Sequence, residues 1–290
     1  LLLDHKLVHG NALVGVGSLE EIRRKFNEDS GTLFEVDAEN LLGQAAEPLK
    51  KLAQLSDSSV KDIEAGRALM EEARLKTLEI NALCDLITAQ PVAEDPRLKG
   101  FRFEDWERLK GEIQSSIALR LAQEILKPLT AMHFPVVFPE VFLGSSQGFN
   151  VVLSNPPWEK IMVKENEFLG RYLPGLRGLS QQDYVKNRDR LKQSRPDIIR
   201  DFEDEKSKAD KTRDIIMCSS DLSMGKGHPD LYIPFGFRFM RLCSVTLGHV
   251  GVVIPRSSMS AKGSEGFRKK IFESATSVEI ITLQNSGRWV

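Results

Sequence analysis

Phe149-Asn150-Val151-Val152-Leu153-Ser154-Asn155-Pro156-Pro157-Trp158 is the stretch on which the reading of this chain turns. The short apolar run 149–153 is bounded by turn signals, the pattern of a fully buried parallel strand. Upstream, Phe134-Pro135-Val136-Val137-Phe138-Pro139-Glu140-Val141-Phe142 leads into it through a Gly/Ser turn. Downstream, a charged and mostly helical segment fills 159–215, and a helix is expected from Leu231 to Leu242. Gly251-Val252-Val253-Ile254-Pro255 reads as a second buried strand, 267–272 as a helix and 278–283 as a third strand. Such alternation predicts a parallel sheet with helices on both faces.

The first half has a different grammar. Residues 5–14 read as a short strand with a polar turn, and Ser18-Leu19-Glu20-Glu21 as a capping box opening a helix. Leu69, Ala73, Ile80, Leu83 and Ile87 recur at helical spacing, Pro91 and Pro96 interrupt, and Trp106, Ile113, Ile117, Leu121 and Ile125 resume the pattern before Pro128. The expected organisation is a strand-bearing piece over 1–17, a helical insertion over 18–130 and a second α/β piece over 131–290.

Composition narrows the classes without excluding a DNA-binding module elsewhere in the parent protein. The 290 residues carry 40 basic and 41 acidic side chains, a net charge of -1, which is unlike a complete duplex-wrapping protein. Cys84, Cys218 and Cys243 are scattered, as are five histidines, so no metal-ligand spacing is present; the odd cysteine count suits a reducing cytoplasm. No apolar run approaches the length of a membrane span. The chain lacks an initiator Met and stops within an expected strand-loop, so it reads as an internal piece of a longer protein.

Chemistry concentrates at Asn155-Pro156-Pro157-Trp158. In open α/β sheets ligands gather at the carboxyl ends of strands, where this tetrapeptide lies. Two prolines fix φ and remove two donors, leaving a stiff turn that presents carbonyl oxygens. An exocyclic aromatic amine is a poor nucleophile because its lone pair is delocalised. Hydrogen bonds from its N–H groups to the Asn155 side-chain oxygen and the Pro156 carbonyl would make the nitrogen tetrahedral, ready to attack a sulfonium methyl. Positioning and charge stabilisation supply the catalysis, without a strong general base. Trp158 would stack on a flipped-out base.

Phe149 to Lys160 resembles the catalytic motif of the large adenine-N6 DNA methyltransferases of type II (IIG-like) restriction-modification and phage-defence systems. Phe138-Pro139-Glu140-Val141-Phe142 is similar to that family's lead-in. Glu165-Asn166-Glu167-Phe168, His228-Pro229-Asp230-Leu231-Tyr232-Ile233-Pro234-Phe235 and 248–255 resemble its following segments, and His9-Gly10-Asn11-Ala12-Leu13 its strand-end motif. The matches cover 5–14 and most of 134–290, in the family's order. Asn150 stands where Asp is frequent, and Ser154 where Gly is common. The resemblance implies a Rossmann-like α/β methyltransferase sheet with a large helical insertion. It implies S-adenosyl-L-methionine as cofactor, contacted by Asn11 and Phe235, and double-stranded DNA as partner. The family's glycine-rich cofactor loop, second stacking aromatic and target-recognition domain, and any nuclease, would lie elsewhere in the parent protein.

Other features read as decoys. Gly15-Val16-Gly17 imitates a cofactor loop but lacks a following acidic strand end, and reads as a strand-to-helix turn. Pro196-Asp197 with Asp204-Glu205-Lys206 imitates a nuclease signature inside a solvated helix. Lys226 and His228 read as a polar loop. The basic run Lys160, Lys164, Arg171, Arg177, Lys186, Arg188 and Arg190 suits a lid over DNA or a solvated helix face equally well. Ser257-Ser258 suits a site lining or the start of a turn. Rival readings are methylation of cytosine N4 or of a protein glutamine, and a non-catalytic remnant that binds DNA or a partner.

Overall fold

The computed structural model describes residues 7–27, 33–55, 59–109, 111–143, 147–173, 175–222 and 230–283. Seven helices come first: α1 (Leu19–Asn27), α2 (Leu33–Gln54), α3 (Val60–Lys76), α4 (Leu78–Ala89), α5 (Pro96–Lys99), α6 (Phe103–Leu109) and α7 (Ile117–Leu126). Two short helices, α8 (Phe134–Val137) and α9 (Pro139–Phe142), lead to β1 (Val151–Ser154). Then follow α10 (Glu165–Leu169), α11 (Gln181–Ser194), α12 (Pro196–Cys218), α13 (Tyr232–Leu242), β2 (His249–Val252) and α14 (Glu265–Ser274). The architecture is mostly helical around a two-stranded parallel sheet, in which Val151 stands opposite His249 and Ser154 opposite Val252.

Helix α1 starts as its sequence suggests, with one change of partner. Ser18 Oγ accepts from Glu21 N at 3.4 Å, while Glu21 reaches past the cap to accept from Gly17 N at 3.0 Å. The helical periodicity holds through α3 and α4, where Ala73, Ile80 and Leu83 are buried. In α7, Leu121 and Ile125 pack against the core at its margin. Ala118, Leu119, Ala122 and Leu126 form its fully buried stripe, whereas Ile117, the first helical residue, is exposed.

The largest core joins both halves of the chain: Ile22, Leu83 and Trp106 share one cluster with Phe134, Phe142 and Leu242. Phe149 anchors β1 to it. Its ring meets Phe138 and Phe142 edge-on, with centroids 5.6 and 5.7 Å away. Gly148 lets this happen: a Cβ there would stand 2.8 Å from the backbone at Leu242 and Cys243.

The strands depart most from expectation. Rather than fully buried, β1 exposes Val151 (56%) and Leu153 (77%), and turns Val152 into the core. Only one face of this two-stranded ladder is covered among the described residues, so alternate side chains stay in solvent. The second strand lies at His249–Val252 rather than 251–255. Residues 278–283 form no ladder among the described residues, and Ile281 and Leu283 stand 75% and 83% exposed. Residues 7–14 make a single bridge, Asn11 to Ala131, instead of a strand; positions 5 and 6 lie outside the described residues.

Candidate active site

The turn 155–158 leaves the carboxyl end of β1 directly. Asn155 is exposed and its carboxamide makes no hydrogen bond among the described residues, whereas Pro156 is buried. Trp158 is 47% exposed, and its indole Nε1–H donates to Val253 O at 3.2 Å. That bond ties the ring to the end of the neighbouring strand while leaving half of its surface to solvent. An indole so held offers a flat apolar platform beside a free amide.

Beyond the turn, Lys160 bridges Asp230 in antiparallel fashion, and Leu231 N donates to Glu159 O at 2.9 Å. This pairing fastens the start of α13 to the chain leaving Trp158. Phe235 lies one turn into α13, half-buried, 5.7 Å from the Phe239 ring and packed against a second apolar cluster with Ile161 and Ile254. Leu13 belongs to the same cluster. Two residues earlier, Asn11 is half-buried; its N–H donates to Thr130 O at 2.8 Å and its Oδ1 accepts from Leu13 N at 3.1 Å. The Asn11 amide nitrogen is left as an unused donor among the described residues. The folded chain thus links the 155–158 turn to Phe235 through backbone pairing, and Phe235 to the Asn11 segment through shared apolar packing.

The local decoys resolve in structural terms. Gly15 (φ 125°) and Gly17 form a turn into α1, with Gly15 O and Gly17 N occupied by Arg238 and Glu21. Asp197, Glu205 and Lys206 all lie on α12, where Asp197 pairs with Arg195 at 2.6 Å and Glu205 with Arg171 at 3.1 Å. Of the basic run, Lys164 pairs with Glu167 and Arg188 with Asp189, so part of it is committed to its own helices. Arg256–Met259, holding Ser257 and Ser258, is a 3₁₀ turn. Lys226, His228 and Pro229 lie outside the described residues. Burial pushes the Cys84 thiol well up and the Cys243 thiol up, which disfavours the thiolate at both.

Two buried polar links near Asn11 escape a reading of the sequence. Arg238 is 1% exposed and bonds Glu21, 217 residues away, at 2.8 Å. His133 Nδ1 accepts from Val16 N at 3.1 Å, so its Nε2 carries the proton donated to Asp85 at 3.0 Å. The only local hint is an arginine within the aromatic stripe of α13.

No helix among the described residues is long and apolar enough to cross a membrane. Comparison with protein-family models, with curated proteins and with solved structures finds no match to this chain.

Proposed function

We propose that this chain is the catalytic part of an S-adenosyl-L-methionine-dependent DNA methyltransferase that modifies adenine N6, serving a restriction-modification or phage-defence system. The observation that carries the reading is the exposed, unbonded Asn155 carboxamide at the carboxyl end of a parallel strand, with Trp158 half-exposed three residues on. Asn155 Oδ1 and the Pro156 carbonyl would accept the two N–H groups of a flipped base. The stiff Pro-Pro turn would hold both acceptors without reorganisation, which is how such a site lowers a barrier. Trp158 supplies the stacking face, and its indole bond to Val253 O limits rotation.

The cofactor, when bound, supplies an electrophilic methyl group. Asn11 and Phe235 suit its adenine: a free amide donor on one segment and a half-buried ring on the other, joined through one apolar cluster. A Rossmann-like sheet over the second half of the chain belongs to the same proposal, as does duplex DNA as partner.

The test is transfer of labelled methyl groups from S-adenosyl-L-methionine to duplex DNA by the full-length protein, beside N155A. Label recovered as N6-methyladenine, and reduced about 100-fold or more in N155A as when a positioned active-site hydrogen-bonding group is removed, supports the reading. Label in cytosine or in protein glutamine redirects it to those substrates, and absence of transfer despite cofactor binding overturns it.

A further inference from the structure

Arg238 projects from α13 three residues after Phe235, and its fork spans two groups: NH1 donates to Glu21 Oε1 and NH2 to Gly15 O, both at 2.8 Å. The other Glu21 oxygen accepts from Gly17 N at 3.0 Å. One guanidinium and one carboxylate therefore grip the 15–17 turn, four residues beyond Asn11. The opposite flank of the same run is pinned by backbone bonds from Met132 N to Val14 O (2.8 Å) and from Phe134 N to Val16 O (2.9 Å). Side-chain exposure is 1% for Arg238 and 12% for Glu21.

A buried ion pair is a poor way to gain stability, since apolar packing often does as well; its best-attested use is to fix a register. Here the register is that of α13, which carries Phe235, against the run that carries Asn11. We propose that Arg238, seated by Glu21, is a positioning residue for cofactor binding: it sets Asn11 relative to Phe235. This rests on the methyltransferase reading above.

Two variants of the full-length protein probe it. R238K keeps a buried cation but lacks the fork that reaches both partners. G17A alters no charge: its Cβ would stand 1.8 Å from Arg238 NH1 and 2.8 Å from Glu21 Oε1, displacing the guanidinium tip. For each, cofactor Kd by calorimetry and KM for cofactor and for DNA are measured alongside the thermal melt. Both are expected to weaken cofactor binding about tenfold with KM for DNA within about twofold, the split of a group acting on one ligand only. N11A combined with R238K is expected to lose little more than N11A alone, because the misplaced contact is already gone. Lowered melting temperatures with wild-type cofactor affinity would overturn the proposal, as would losses that multiply in the double variant. A wild-type protein that neither binds cofactor nor transfers methyl removes the methyltransferase reading itself. Normal wild-type activity with additive variants removes the positioning role alone.

Discussion

Trp158 joins a geometric constraint to a chemical one. Its Nε1–H is spent on Val253 O, so the orientation of its exposed ring is fixed by the fold itself. If the methyltransferase proposal holds, W158A weakens DNA binding by about 1–3 kcal/mol, the worth of one base–aromatic stack, with little change in melting temperature. W158F, which keeps a ring but forfeits the indole bond, should fall between wild type and W158A in a fluorescence titration with DNA. Asp95 makes a separate statement about pH. It caps α5, and bonds from the Arg97 guanidinium, foremost, and then from Arg97 N at 2.9 Å hold its carboxyl down at about 2, against an ordinary 3.8. Its contribution to stability is therefore present above pH 3.8 and lost as pH falls toward about 2. A carboxyl-carbon titration by NMR would find this residue among the last to protonate. The placement of Asn155 and Trp158 just past a strand end was legible in the sequence, because a Pro-Pro turn after a strand is a local pattern. Arg238 and Glu21 were not, because a bond between positions 217 apart leaves no spacing to read.

Helices and strands differed in how far the sequence could carry them. A helix satisfies its own backbone, so apolar periodicity and caps largely define α3, α4 and α7; of the α7 positions at helical spacing Leu121 and Ile125 pack against the core and only Ile117, at the helix start, stays exposed. A strand is defined by its neighbours. Residues 278–283 have the composition of a buried strand, yet pair with nothing among the described residues, and β1 is covered on one face only. The difference is measurable. L153T should change stability by about 0.5 kcal/mol or less, as an exposed substitution does, whereas a strand buried on both faces would lose several times more on chemical denaturation.

Over the whole molecule, the largest core draws on α1, α4, α6 and α7 as well as on Phe134, Phe142 and Leu242. Helical and sheet-bearing regions should therefore unfold together. W106A, at a position 1% exposed, is expected to cost about 3–5 kcal/mol. In native-state hydrogen exchange that cost should register at Leu83 in α4 and equally at Val152 in β1. Faster exchange confined to α4 would instead reveal two units that open independently.

The pairing of the 11–17 run with 130–134 has a kinetic consequence. Val16 and His133, joined by one of its bonds, are 117 residues apart, and closing a flexible loop of that length costs about 4 kcal/mol in chain entropy. The intervening helices must condense first and bring the two ends together, so this junction zips late in folding and is an early place to fray. Asn11 sits at its mouth. The shape of the segment around Asn11 is thus acquired only once the long excursion through α1–α7 has been completed, which makes the order of that segment a report on the integrity of everything between it and residue 134.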